Sequence, residues 1–250
     1  MHNELFSIGG ITIYGYGLMT AIGILSAYFS GVLRARKYKI DDEPIFSILV
    51  FTVLFGYLGA KLLYLITILD QIIKDPSAIK NLGSGFVVYG GILTGILTCY
   101  LYCRIKKISF LTYLDLLLPS VALAQGFGRI GCLLAGCCYG CETSCSFSIT
   151  FKNSAYAPNH VALFPSQIVS SGLDFLNFFV LCLIYRKDKT KGVVSAFYLI
   201  FYSVGRFIIE FFRGDINRGS VGTLSTSQFI SLFVLAGGIL MLILSKRKKA

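Results

Sequence analysis

Gly126-Phe127-Gly128-Arg129-Ile130-Gly131-Cys132-Leu133-Leu134-Ala135-Gly136-Cys137-Cys138-Tyr139-Gly140 closes a long apolar run that begins near Ser109. An apolar run of that length is a membrane span. This one holds a guanidinium among small glycine steps, with sulfur on its far side. Arginine at the centre of a span costs about 3 kcal/mol on the mildest scales, so the side chain must face a bundle interior or a cavity, and it marks a functional site. A pair of phosphate oxygens is the membrane-borne anion that best suits its planar fork of donors.

The 250 residues are 55% hydrophobic, with a mean hydropathy of +0.74. That is too apolar for a soluble domain and too long for a single anchor, which leaves one compact multi-pass membrane domain over residues 1–250. The net charge of +11 does not point to nucleic acid, because the basic residues fall in short clusters between apolar runs. Residues 1–12 carry only Glu4 as a charge, so the first apolar run reads as a retained span rather than a cleaved leader.

Seven spans are expected: Ile13 to Leu33, Ile45 to Leu69, Phe86 to Cys103, Ser109 to Leu134, Ser166 to Tyr185, Val193 to Phe212 and Ser227 to Leu244. The fold class is therefore an all-α bundle of seven transmembrane helices. Basic residues follow alternate spans: Arg34, Arg36, Lys37 and Lys39; Arg104, Lys106 and Lys107; Arg186, Lys187, Lys189 and Lys191; Lys246, Arg247, Lys248 and Lys249. The opposite connections hold only Lys74, Lys80, Lys152, Arg213 and Arg218. This asymmetry puts the N-terminus outside and the C-terminus in the cytoplasm. The outer connections at about 70–85 and 139–165 read as a surface loop or short interfacial helix and as an irregular lid.

Lys61, Arg129, Arg206, Asp115, Asp174 and Glu210 all fall inside apolar runs. Tyr202, Arg206, Glu210 and Arg213 are spaced four, four and three apart, so they are expected on one helical face. Arg206 and Glu210 then either form a structural ion pair or present a second guanidinium, oriented by Glu210, to the same anion as Arg129. Tyr16, followed by Gly17, and Tyr89, followed by Gly90 and Gly91, put phenols beside small residues that leave room for a ligand or for close helix approach. Next to cations, the Tyr89 proton is expected to leave more readily.

These segments resemble bacterial phosphatidylglycerol-prolipoprotein diacylglyceryl transferases. The resemblance rests on Gly128-Arg129-Ile130-Gly131, Tyr16-Gly17-Leu18-Met19, Gly90-Gly91, Phe164-Pro165-Ser166-Gln167, Arg206-Phe207-Ile208-Ile209-Glu210-Phe211-Phe212-Arg213 and Leu224-Ser225-Thr226-Ser227-Gln228, in the family's order. It implies a membrane enzyme of the bacterial plasma membrane that moves diacylglyceryl from phosphatidylglycerol to the lipobox cysteine of a prolipoprotein signal peptide. The products would be a thioether and glycerol phosphate. No cofactor and no metal are implied, and the expected partners are these two substrates and the surrounding lipids.

Carried over by residue, Arg129 grips the lipid phosphate, Arg206 offsets charge on the leaving group, and Glu210 orients Arg206. Tyr16, Gly90, Gly91, Tyr202, Arg213 and Cys132 belong to the substrate site. The sequence departs from the family where histidine usually precedes the paired glycines, here Tyr89, and where asparagine usually follows the glycine, here Cys132. Ala135 and Cys137 replace a further asparagine and a glutamate. Tyr89 is the expected base, with activation by the arginine field alone as the alternative. Two other readings stay open: a divergent phosphoglyceride-binding member with another acceptor or no catalysis, and a cysteine-based redox or transport protein.

Cys132, Cys137, Cys138, Cys141 and Cys145 cluster at the expected outer mouth. Disulfides stapling the mouth, a zinc or iron-sulfur site, and a reactive thiol at Cys132 are all compatible with the spacing. Cys99, Cys103 and Cys182 read as small core residues.

Overall fold

The computed structural model describes residues 4–8, 11–74, 85–215 and 219–247. The expected basic residues Lys80, Arg218, Lys248 and Lys249, and most of the 70–85 connection, lie outside them. A hairpin of β1 (Glu4–Ile8) and β2 (Ile11–Tyr14) leads into α1 (Gly15–Lys37). Then follow α2 (Glu43–Thr67), the short α3 (Leu69–Lys74), α4 (Val88–Ile105) and α5 (Phe110–Ala135). The strands β3 (Ile149–Thr150) and β4 (Ala162–Leu163) precede α6 (Ser166–Lys187) and α7 (Val193–Glu210). A last hairpin, β5 (Ser220–Val221) with β6 (Leu224–Ser225), opens into α8 (Thr226–Arg247).

Seven of these helices are long and apolar enough to cross a membrane. Their outer faces carry exposed Leu, Ile, Val and Phe side chains, such as Leu33, Leu93, Phe179 and Phe233. In lipid such residues are in their proper solvent, and the helices satisfy their own backbone polar groups. The all-α membrane fold therefore stands, with two corrections at the ends of elements. The first span begins at Gly15 rather than Ile13, because Ile11–Tyr14 pairs as a strand, and it runs on to Lys37. The sixth stops at Glu210 rather than Phe212. Residues 139–165, expected as an irregular lid, form a small cap whose regular structure is limited to the two-residue strands β3 and β4.

The chain divides into two compact units, residues 32–110 and residues 1–31 with 111–250. In the smaller unit, α2 and α4 meet through small residues. A Cβ on Gly90 would reach within 2.7 Å of Leu63 Cβ, and one on Gly91 within 3.0 Å of the Gly56 carbonyl oxygen. Close approach of this kind is how membrane helices gain packing energy without a hydrophobic driving force. Lys61, an intramembrane cation, donates to the Gly85 carbonyl at 3.3 Å and lies over the Phe86 and Tyr64 rings at 4.8 and 5.1 Å.

In the larger unit, the buried Asp115 of α5 caps the start of α7. Its carboxylate accepts from the Gly192 amide at 2.5 Å, the Ser195 amide at 2.8 Å and the Ser195 hydroxyl at 2.5 Å. It thereby satisfies orphan donors at a helix N-terminus, where the macrodipole also favours an anion. Gly192 sits there at φ 91°, and a side chain at that position would meet Ser245 Oγ. Ser171 Oγ donates to the Gly126 carbonyl at 2.9 Å, and Tyr198 Oη donates to Gln125 Oε1 at 3.0 Å, tying α6 and α7 to α5.

The cap encloses its own core of Phe151, Ala157 and Leu163, with Leu133, Tyr139, Ile149 and Val161 packed around it. Backbone bonds join it to the end of α7: the Cys141 amide donates to the Phe212 carbonyl at 2.9 Å and the Gly214 amide to that of Tyr139 at 3.1 Å.

Asp115→Ala leaves these α7 donors buried without a partner. It is expected to destabilise the protein by about 2 to 4 kcal/mol, read as a lowered unfolding midpoint in detergent, with Asp115→Asn intermediate.

Candidate active site

Arg129 stands on α5 one turn beyond Gly126. The absence of a side chain at Gly126 lets α6 approach, since a Cβ there would strike the Phe175 ring at 2.5 Å. Along α6, Ser170, Asp174 and Asn177 recur at spacings of four and three and so face one way. On α7, Tyr202 and Arg206 are likewise four apart. These five residues and Arg129 line one cavity of about 590 Å³ among α5, α6 and α7.

Arg206 is held from two sides. Its Nη2 donates to Ser227 Oγ at 2.9 Å and pairs with Glu210 Oε2 at 3.0 Å. Its Nη1 is buried with no hydrogen-bond partner, and so is Asn177 Oδ1. Buried polar atoms left unpaired cost about 1 to 3 kcal/mol each, so their presence on one cavity wall marks a place for a polar ligand. Arg129 has no hydrogen bond or ion pair among the described residues, although Asp174 and Arg206 both lie within its electrostatic reach. Two like charges facing one low-dielectric space are stabilised by an anion between them.

The cavity mouth is apolar. Leu176 and Ile208 are 58% and 51% exposed, and Leu173, Phe201 and Val204 extend the same rim. A cationic interior with an opening through hydrocarbon-facing residues fits an anionic headgroup carried on acyl chains.

The other expected site residues fall in three places. Tyr202 lines the cavity, and Glu210 lies behind Arg206 as its charge partner. Arg213 does not share their helical face, because α7 has ended. It pairs bidentately with Asp215, at 3.0 and 2.5 Å, and its backbone bridges to Gly140. Burial works against the Arg213 cation, but the bond from Asp215 together with the charges of Cys138, Asp215 and Glu210 outweighs it and holds the pKa above its ordinary value.

Tyr16 opens α1 and lies within electrostatic reach of Cys132, Cys137 and Cys138. Tyr89, Gly90 and Gly91 open α4 in the smaller unit, where both glycines serve helix packing. The cavity lining draws on α5, α6 and α7 among the described residues.

The sulfurs of Cys132, Cys137 and Cys138 lie within 4.8 Å of one another, and all eight cysteines are free thiols in the structure. Hydrogen bonding with Cys132 pushes the Cys137 thiol up. Bonds from Cys132 and Cys137, joined by the charges of Arg213 and Arg129, pull Cys138 down against the effect of its burial.

Ser170, Asn177 and Ser227 were not among the residues expected at the site, and Asp174 was noted only as an acid within a span. The signal was present in their helical spacing, but an isolated serine or asparagine in a span is usually a packing residue.

The model of the prolipoprotein diacylglyceryl transferase family matches residues 3–244. The chain belongs to this family. Its similarity to members runs end to end. It is 48% identical to the phosphatidylglycerol–prolipoprotein diacylglyceryl transferase of Clostridium tetani, covering 100% of both chains. It is 46% identical to the second such enzyme of Clostridium perfringens, over 99% of this chain and 97% of that one. For the Finegoldia magna enzyme the identity is 31%, again over 99% and 97%.

Removing Glu210 would leave Arg206 buried without its counter-charge, so Glu210→Ala is expected to cost about 3 kcal/mol of stability. Arg129 has no such partner among the described residues, and Arg129→Ala should destabilise the fold by less than about 1 kcal/mol. Parallel melts of the purified variants check both.

Proposed function

We propose that this chain transfers diacylglyceryl from phosphatidylglycerol to the thiol of a lipobox cysteine, on a prolipoprotein in the bacterial plasma membrane. The observation that carries this reading is the shared cavity: Arg129 and Arg206 face one space of about 590 Å³ whose rim is apolar and exposed. The names of the similar enzymes supply the two substrates, and the cavity supplies a physical reason for the first.

In this reading the donor lipid enters between the outer faces of α6 and α7. Its phosphate takes up the unpartnered donors of Arg129 and Arg206 Nη1, and its acyl chains remain against Leu176 and Ile208. A thiolate attacks the glyceryl carbon attached to the phosphate. The C–S bond forms, the C–O bond breaks, and its electron pair leaves with glycerol phosphate. Charge grows on the departing phosphate, where two fixed guanidiniums stabilise it more than they do the ground state. Glu210 and Ser227 hold Arg206 so that little reorganisation accompanies the step. The same positive field favours the thiolate form of the acceptor. Tyr89 is not needed as a base in this scheme.

In this reading the N-terminus and the cap lie on the outer side and the C-terminus in the cytoplasm, an orientation supported by the distribution of Lys and Arg. Cys145, exposed on the cap, should then react with a membrane-impermeant maleimide in intact cells, whereas a cysteine introduced at the exposed Lys246→Cys should react only after the cells are permeabilised.

Incubating the purified protein with radiolabelled phosphatidylglycerol and a lipobox peptide tests the activity. Arg129→Ala is expected to lose about a hundredfold to a thousandfold in transfer, and Tyr89→Phe less than about tenfold. Normal turnover by the Arg129 variant would remove the phosphate clamp. Saturable lipid binding without transfer by the wild-type protein would make it a lipid-binding member rather than an enzyme.

A further inference from the structure

A group of three thiols is left unused by the scheme above. Cys132 comes from the last turn of α5. The chain then reverses through left-handed positions at Gly136 (φ 73°) and Cys138 (φ 58°), which folds Cys137 and Cys138 back toward the helix end. The Cys137 amide donates to the Cys132 carbonyl at 3.1 Å and closes the reversal. From α6, Gln167 Nε2 donates to the Cys137 carbonyl at 2.9 Å and Ser166 Oγ to the Cys138 carbonyl at 2.8 Å. Those two side chains belong to residues only 1% and 2% exposed, so the backbone carrying the adjacent thiols is clamped from the protein interior. The three sulfurs converge within 4.8 Å and are only partly buried. An odd set cannot be consumed by pairing within itself.

Tetrahedral zinc–thiolate bonds of about 2.3 Å put neighbouring sulfurs about 3.8 Å apart, within rotamer adjustment of what is seen. Soft thiolates select thiophilic ions, and three protein ligands leave the open position typical of catalytic rather than structural zinc. We propose that Cys132, Cys137 and Cys138 bind one Zn²⁺ ion, and that the thiol of the acceptor peptide occupies its fourth position.

Two features connect this site to the reaction. Cys132 is three residues beyond Arg129 on α5, a helical neighbour, so the ion stands beside the residue that grips the donor phosphate. Arg129 and Arg213 both act electrostatically on Cys138, and their charges offset the surplus negative charge of a thiolate-rich centre. The proposal rests on the transferase reading and adds the acceptor half of it.

On binding zinc the acceptor S–H gives its proton to water, because a coordinated thiol is deprotonated. A sulfur lone pair then forms the C–S bond to the glyceryl carbon as the C–O bond breaks toward phosphate. The thioether product, a weaker donor than a thiolate, dissociates and reopens the fourth position. No oxidant or reductant enters.

The test uses reduced, full-length protein in detergent. Wild type is expected to hold one equivalent of Zn²⁺ by elemental mass spectrometry, to lose it in Cys138→Ser and in the triple Cys132/Cys137/Cys138→Ser variant, and to keep it in Cys145→Ser. With Co²⁺ in place of zinc, thiolate charge-transfer and tetrahedral bands should appear. A lipobox cysteine peptide should intensify the charge-transfer band, while the same peptide with serine at that position should not. Stripping the metal should lower transfer about a hundredfold, with recovery on adding Zn²⁺ and with phosphatidylglycerol binding unchanged throughout.

Absence of Zn²⁺ and Co²⁺ binding by reduced protein that transfers lipid normally would overturn the site. A Co²⁺ spectrum indifferent to the cysteine peptide, with normal turnover after stripping, would overturn the acceptor role. Phosphatidylglycerol binding serves as the folding control for the cysteine variants. Normal transfer by Arg129→Ala, with the cobalt response intact, would remove the donor clamp while leaving the metal site standing.

Discussion

Two guanidiniums facing one apolar-walled space are the constraint around which the larger unit is arranged. Neither charge can be left bare in hydrocarbon, and the protein treats the two differently. Arg206 is given Glu210 and Ser227, which fix its orientation but leave Nη1 buried and unpartnered. Arg129 is given no hydrogen bond or ion pair among the described residues and instead faces Asp174 across electrostatic reach. One arginine is rigid and the other is available. That division suits the phosphate-binding role proposed for the site, in which the anion is held and then released carrying more charge.

The packing that makes this possible is built from small residues and short polar bonds rather than from a large apolar core. Gly126 gives α6 its close approach to α5, and Ser171 fastens the contact. Asp115 anchors the start of α7 three times over, so the helix that carries Tyr202 and Arg206 begins at a fixed point. At its other end the cap pairs with the chain just after Glu210. A helix held at both ends can present a charged face to a cavity without rotating that face toward lipid, which would cost several times more than the hydrogen bonds that prevent it. The same cap, clamped through Ser166 and Gln167, brings three thiols together beside the charged space.

Much of this was readable from residue order, and the failures have physical causes. Apolar run lengths and basic clusters mark seven spans because bilayer thickness and the cost of burying charge act on composition alone. Arg129 and Arg206 stand out for the same reason. Gly90 and Gly91 were read as room for a ligand or for close helix approach, and the structure uses them for the approach to α2. Glycine spacing alone does not distinguish room for a ligand from room for a helix. Arg213 looked like a fourth member of the α7 face, but helical periodicity says nothing about where a helix stops: α7 ends at Glu210, and Arg213 beyond it pairs with Asp215. The cap reads as irregular because its strands are two residues long, and only the structure shows the small core of Phe151, Ala157 and Leu163 within it.

The sequence by itself determined that this is a seven-span membrane protein of the diacylglyceryl transferase family with isolated cations inside its spans. Those properties depend on local composition, order and motif, which need no partner in space. Only the tertiary structure decided that Arg129 and Arg206 share a cavity, that Ser170, Asp174 and Asn177 join them, and that Cys132 meets Cys137 and Cys138. Each of these depends on how helices rotate about their axes and where they end. That is set by contacts such as Gly126 with Phe175 and Asp115 with Ser195, which join positions dozens of residues apart.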